Sequence, residues 1–301
     1  MPIVMLRLTK AVRVILASTA IFGLVVVPAP ALDTQLRLGD NRLQVEIGDW
    51  AFEFFTYRPL NCADPSVMVV FHGNGRGAQT YRNSARKFAD EACFVIYSPY
   101  YDRERFPNWS YHRGGLIQGG VLRSDDEWTV STAQLIVDWI KSREGLDKPI
   151  YMFGHSAGAQ FLSRVVAYAR PEGVARFVLA NPSTYVVPSV DWEAPYGFGG
   201  LPPTLFDGSE IRRYLEAPLT IYLGLEDVGS EDLTSNEFAD RQGANRLDRG
   251  RRTFQNAYEV AKRRGWMYGW SLVEVPGVGH TARGMLNASE LAVALGLVDS
   301  N

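Results

Sequence analysis

The chain has 301 residues and carries 31 Lys plus Arg against 33 Asp plus Glu, a formal net charge of −2 at pH 7. So mildly acidic a balance excludes the electrostatic footprint of a nucleic-acid binder or of a protein that seeks anionic membranes. With two cysteines and no clustered histidines there is no zinc site to assemble, and no metal or organic cofactor is implied.

The first 31 residues have the layout of a secretory signal peptide. Arg7, Lys10 and Arg13 form a basic front, Val14 to Val27 is an uncharged apolar run, and Ala29-Pro30-Ala31 offers small residues at the positions a signal peptidase reads. Cleavage is expected after Ala31. The alternative is a retained anchor, but the uncharged run is shorter than the about 20 apolar residues a span needs. The remainder, 32–301, is long enough for one α/β domain with a full core, and no later stretch is long and apolar enough to cross a membrane. A secreted or periplasmic location follows.

Strands are predicted at Leu43–Ile47, Trp50–Tyr57, Val67–Phe71, Phe94–Tyr97, Ile150–Phe153, Phe177–Ala180, Leu219–Leu223 and Ser271–Val275, and helices near 79–91, 125–143, 157–170, 236–264 and 284–296. The first two strands, separated by Gly48-Asp49, read as an antiparallel hairpin at a sheet edge. From Val67 onward strands and helices alternate, which predicts a mostly parallel sheet with helices on both faces. Cys62 and Cys93 lie just before or at the start of two of these strands. In an exported chain such a pair suggests a disulfide, with two buried thiols as the alternative. Residues 98–124 and 181–217 break the alternation with long, aromatic, glycine- or proline-rich stretches, and are expected to form pocket walls.

A functional constellation centres on Gly154-His155-Ser156-Ala157-Gly158. The apolar "PIYMF" precedes it and the amphipathic "AGAQFLSRVVAYA" follows, so Ser156 falls on a sharp strand-to-helix turn where small neighbours are needed. A serine hydroxyl needs a base to become a nucleophile. Of the four histidines, His155 adjoins the turn and is expected to point away into packing, while His280 follows the last strand and falls where a base belongs. An acid must then orient the base. Asp227, just after the strand Leu219–Leu223, is the candidate, with Glu226 as the alternative. The chain order Ser156, Asp227, His280 is that of a nucleophile-elbow hydrolase. Two backbone amides would complete an oxyanion hole: Ala157, after the nucleophile, and Asn74, or alternatively Gly73, in "HGNGRG". That loop matches neither dinucleotide- nor phosphate-binding spacing. Arg241, Arg246, Arg249, Arg251 and Arg252 read as a solvated face paired with Asp240 and Asp248, or else as a patch for an acidic substrate group.

The segments "VVFHGNG", "FGHSAG", "LGLED" and "VPGVGH" occur in the order and spacing of the α/β-hydrolase superfamily, over nearly all of 32–301. Within it, "GHSAGAQF" and "VPGVGH" resemble exported bacterial esterases grouped with polyhydroxybutyrate depolymerase-like and feruloyl esterase-like proteins. The elbow reads G-H-S-A-G where the depolymerase group commonly has G-L-S-A-G. The resemblance implies nucleophile Ser156, acid Asp227, base His280 and oxyanion amides of Asn74 and Ala157. The expected activity is hydrolysis of small-molecule or polymeric carboxylic esters through an acyl-enzyme. The same triad would serve a serine peptidase or an acyltransferase, and a non-catalytic binding member of the fold is the remaining alternative.

Overall fold

In the computed structural model residues 36–298 are described, so the expected leader 1–31 lies outside the described residues. Eight strands form one sheet: β1 (Gly39–Ile47), β2 (Trp50–Arg58), β3 (Ser66–Phe71), β4 (Phe94–Pro99), β5 (Ile150–His155), β6 (Val174–Ala180), β7 (Leu219–Gly224) and β8 (Trp270–Val275). Their order across the sheet is β1-β2-β4-β3-β5-β6-β7-β8. The hairpin β1–β2 joins β4 antiparallel, and β4, β3, β5, β6, β7 and β8 run parallel. This is the mostly parallel sheet with an antiparallel edge that the alternation predicts.

The parallel strands are apolar on both faces because helices cover both. Side chains of β3 alternate between two core layers: Val67, Val69 and Phe71 enter one, Met68 and Val70 the other. On the first face lie α2 (Thr132–Glu144), α3 (Ala157–Arg164, continued by a wider turn over Val165–Ala169), α4 (Ser209–Glu216) and α5 (Arg246–Arg264). On the second lie α1 (Ala78–Ala92), α6 (Ala282–Asn287) and a last turn at Leu291–Ala294. Helix α1 buries Ala85, Phe88 and Ala89 and turns Thr80, Ser84 and Lys87 away from that core.

Three helices differ from expectation. The helix expected over 125–143 begins only at Thr132, because Trp128 is extended and two 3-10 turns precede it. The helix expected over 236–264 is split, with a short turn at Glu237–Asp240 and a new start where the Asn245 side chain caps the Asp248 amide. The last helix breaks at Ala288, which is extended. Helix α4 lies inside 181–217, where prolines and glycines conceal it. Cys62 and Cys93 are disulfide-bonded with Cα atoms 5.5 Å apart, which excludes the free-thiol alternative. Among the described residues no helix is long and apolar enough to cross a membrane.

Candidate active site

Ser156 sits between β5 and α3 with φ 56° and ψ −116°, a backbone region that an L residue occupies only under constraint. Its amide donates to Ala180 O at 2.9 Å and its carbonyl accepts from Gln160 N at 3.0 Å, so strand and helix hold the turn from both sides. A Cβ at Gly154 would lie 2.4 Å from Gly158 O, and one at Gly158 would lie 2.2 Å from Phe71 O. The two motif glycines are therefore required by close backbone approach. The Ser156 hydroxyl makes no helix-capping bond and instead faces His280.

His280 Nε2 is 3.0 Å from Ser156 Oγ, and His280 Nδ1 is 2.6 Å from Asp227 Oδ2. With Nδ1 donating to the carboxylate, Nε2 is left to accept from the hydroxyl. Asp227 and His280 lie on loops after neighbouring strands β7 and β8. Those loops are stitched together by Leu225 N to Val275 O and Glu226 N to Val278 O, each 3.0 Å. Asp227 is buried whereas Glu226 is exposed, which selects Asp227 as the partner of the imidazole. Asn74 and Gly73 line the same cleft as Ser156. Ala157 opens α3, so its N–H has no acceptor within the helix.

Three further residues brace this arrangement, and sequence reasoning missed each role. Arg246 Nη1 is 3.3 Å from Asp227 Oδ1 with both side chains almost fully buried (1% and 2% exposed), and its Nη2 donates to Glu231 O at 2.7 Å. Asn181 is buried at the end of β6. Its Oδ1 accepts from Gly224 N at 2.9 Å and its Nδ2 donates to Gly279 O at 3.4 Å, tying the end of β7 ahead of Asp227 to the loop that carries His280. The only signal for it in sequence was its position after a strand, ahead of a proline. Tyr81 Oη lies 3.0 Å from His155 Nδ1.

The structure corrects two expectations and locates a third. His155 is buried, but it packs against the base rather than away from it: its ring centroid is 4.7 Å from that of His280, and it lines the cleft. Burial above all, then the neighbouring His280 and Arg246, drives its pKa well below 6.5, so a neutral imidazole faces the base. The arginine segment is not a single solvated face. Arg251 and Arg252 are exposed and paired with Glu274 and Asp248, but Arg246 and Arg249 are buried. Arg249 donates to Gly243 O, Ser183 O and Thr234 O and meets Asp240 at 3.2 Å. Segments 98–124 and 181–217 do not line the cleft at Ser156, but Tyr100, Asp102 and Arg105 of the first and Val187, Pro188 and Trp192 of the second line pockets elsewhere. Other aromatic residues of the two segments turn inward: Tyr101 and Tyr111 stack on each other at 4.9 Å and against Phe161 at 5.2 Å, and Tyr185, Tyr196 and Phe198 are buried. The first segment buttresses the Asn74 loop from behind, through Tyr111 Oη to His72 O at 2.8 Å and Arg103 to Asn74 O at 2.6 Å.

The cleft has a volume of about 920 Å³ and opens over Ser156 and His280. Among the described residues no three His, Cys, Asp or Glu side chains converge in the manner of a metal site.

No protein-family model matches the chain, and no curated protein matches it. Solved structures do. LpqC, a poly(3-hydroxybutyrate) depolymerase from Bordetella parapertussis, is 31% identical over 83% of this chain and 88% of its own, with a TM-score of 0.75. Poly(aspartic acid) hydrolase-1 from Sphingomonas sp. KT-1 is 26% identical over 88% of this chain and 100% of its own, with a TM-score of 0.76. A thermophilic esterase from the Planctomycetes species Thermogutta terrifontis, solved with propionate, shares the fold at 16% identity over 87% of this chain and 97% of its own, with a TM-score of 0.51. Identity of 31% over 83% of this chain and 88% of the depolymerase means that the chain belongs to the α/β-hydrolase family, as a hydrolase of its polyhydroxybutyrate depolymerase-like group.

Proposed function

We propose that the chain is an exported serine hydrolase that cleaves carboxylic esters through an acyl-enzyme on Ser156. One observation carries the reading: a continuous chain from Ser156 Oγ to His280 Nε2 (3.0 Å) and from His280 Nδ1 to Asp227 Oδ2 (2.6 Å), held on a strained strand-to-helix turn. Ser156 Oγ attacks the ester carbonyl while His280 takes its proton, and Asp227 stabilises the resulting imidazolium. The amides of Ala157 and Asn74 receive the oxyanion. Collapse expels the alcohol, which takes the proton from His280. A water deprotonated by His280 then attacks the acyl-enzyme and releases the acid and free Ser156. The substrate is a small-molecule or polymeric ester, as the likeness to a poly(3-hydroxybutyrate) depolymerase suggests. Export is supported by the leader-like first 31 residues and by the Cys62–Cys93 bridge, a bond that persists in oxidising compartments.

A second reading, the same triad acting on an amide, is favoured by the likeness to a poly(aspartic acid) hydrolase, whose polymer is joined by amide bonds. Parallel rates on p-nitrophenyl esters and the matching anilides separate the two. Replacement Ser156→Ala is expected to lower ester turnover at least about 10⁴-fold and to abolish labelling by a fluorophosphonate, with the unfolding midpoint retained. Undiminished turnover in that variant would sink the proposal.

A further inference from the structure

The composition of the cleft wall bears on what reaches Ser156. No leucine, isoleucine, valine, phenylalanine or tryptophan lines it, and Ala282 is its only aliphatic side chain. Sites for apolar ligands are lined mainly by hydrophobic and aromatic side chains, and a cleft of about 920 Å³ built this way offers a fatty acyl chain only Ala282 and the ring of Tyr81 besides the stems of polar side chains. Two helices supply the polar walls. Helix α1 contributes Thr80, Asn83 and Ser84 and, further along, Arg86 and Lys87; α6 contributes Arg283 and Asn287.

The charges in the cleft are unbalanced. Three cations line it, against one carboxylate, Asp232. Arg86 is already engaged, by Asp40 and by the face of Tyr57. Lys87 has only a distant, solvated partner, Glu91, at 3.9 Å. Arg283 has no ion-pair partner among the described residues, and it stands three positions beyond His280 at the start of α6. A chain of net charge −2 has no general surplus of cations to scatter. Two cations without close partners in a cleft with a single acid therefore create a local positive potential that favours an anionic ligand. The arginine segment 241–252 does not supply that potential, since none of its residues lines the cleft.

We infer that the ester taken by this cleft carries a free carboxylate, which Arg283 and Lys87 receive beyond the scissile bond. The inference rests on the ester-hydrolase reading above. Arg283 offers a planar fork that a carboxylate meets with two hydrogen bonds, and Lys87 a mobile point charge that follows chains of different length.

The test compares p-nitrophenyl monoesters of adipic, pimelic and suberic acids with the uncharged hexanoate, heptanoate and octanoate esters of the same length. The ratio of kcat/KM, acid over neutral, is expected to reach about tenfold for at least one pair. It should fall toward one in 0.5 M NaCl and in the double variant Lys87→Gln/Arg283→Gln, through KM rather than kcat, while Arg283→Lys keeps part of it. Should the double variant be inactive, the single variant Lys87→Gln and the salt dependence of the unaltered protein decide the matter. A ratio at or below one, or a ratio indifferent to both salt and substitution, overturns the inference while leaving the ester reading intact. Absence of turnover on both series overturns the ester reading, and the inference with it.

Discussion

Arg246 shows how much a single side chain contributes to the site. Asp227 is almost fully buried, and a buried carboxylate is costly unless it is paired and hydrogen-bonded. One oxygen is held by His280 and the other by Arg246, so both oxygens of Asp227 are engaged. Replacement by Met removes one partner of a buried ion pair and leaves the acid free to rotate away from the imidazole. Arg246→Met is expected to cost roughly 3–5 kcal/mol of stability, read by urea unfolding, and to lower kcat at least about tenfold with KM little changed. Arg246 was invisible in the sequence for a physical reason. Five arginines within twelve residues look like a solvated face, and only tertiary packing reveals that two of them are enclosed. Ser156, Asp227 and His280 were legible because each follows a strand that an apolar run announces, and the carboxyl ends of parallel neighbours share one edge.

The parallel strands were readable at the scale of elements because strands of a helix-covered sheet are short runs of Val, Ile, Phe and Leu with little competing signal, and the hairpin β1–β2 because its two runs flank Gly48-Asp49. Helix boundaries were harder to place, because local capping decides them. The pattern over 236–264 continues through 241–245, and only the capping geometry stops it: Asn245 Oδ1 accepts from Asp248 N at 2.9 Å and starts α5 afresh. That cap places Arg246 at the first position of the helix, beneath Asp227. Asn245→Ala is expected to lose about 1 kcal/mol in denaturant unfolding, with Asn245→Asp or Asn245→Ser restoring most of it. Helix α4 was concealed because Gly208, in the left-handed region at φ 92°, starts it inside a proline-rich stretch. The two aromatic segments line pockets away from Ser156, through Tyr100, Asp102 and Arg105 in one and Val187, Pro188 and Trp192 in the other, a direction that composition does not disclose. Aromatic side chains costly to leave in water can be covered by a ligand or by the protein's own core, and here the core covers Tyr101, Phe106, Tyr111, Tyr185, Tyr196 and Phe198.

For the whole molecule, three of the four histidines are kept neutral by enclosure. Burial lowers His72 and His112 to about 3, and lowers His155 well below 6.5. Below pH 6.5 the unfolded chain takes up protons at these imidazoles that the folded chain refuses, so stability falls as pH falls. Between pH 6.5 and 5.5 the three together should remove roughly 3 kcal/mol. Ordinary carboxylates contribute little in that window, since they titrate near pH 4. Urea midpoints across pH 7.5 to 5.0 should show this loss, and a flat profile would contradict the enclosure. Cys93 caps the end of α1, and its bridge to Cys62 closes a loop of sequence separation 31 that encloses β3 and α1. Helix α1 is also one wall of the cleft. Without the bridge, the far end of that wall is held by packing and by hydrogen bonds such as Tyr57 Oη to Asp90 Oδ1 at 2.7 Å and Ser66 N to Cys93 O at 3.1 Å. Reduction of the bridge is therefore expected to disturb this wall of the cleft before the hydrogen-bonded chain of Ser156, His280 and Asp227, which sits on loops that the bridge does not touch.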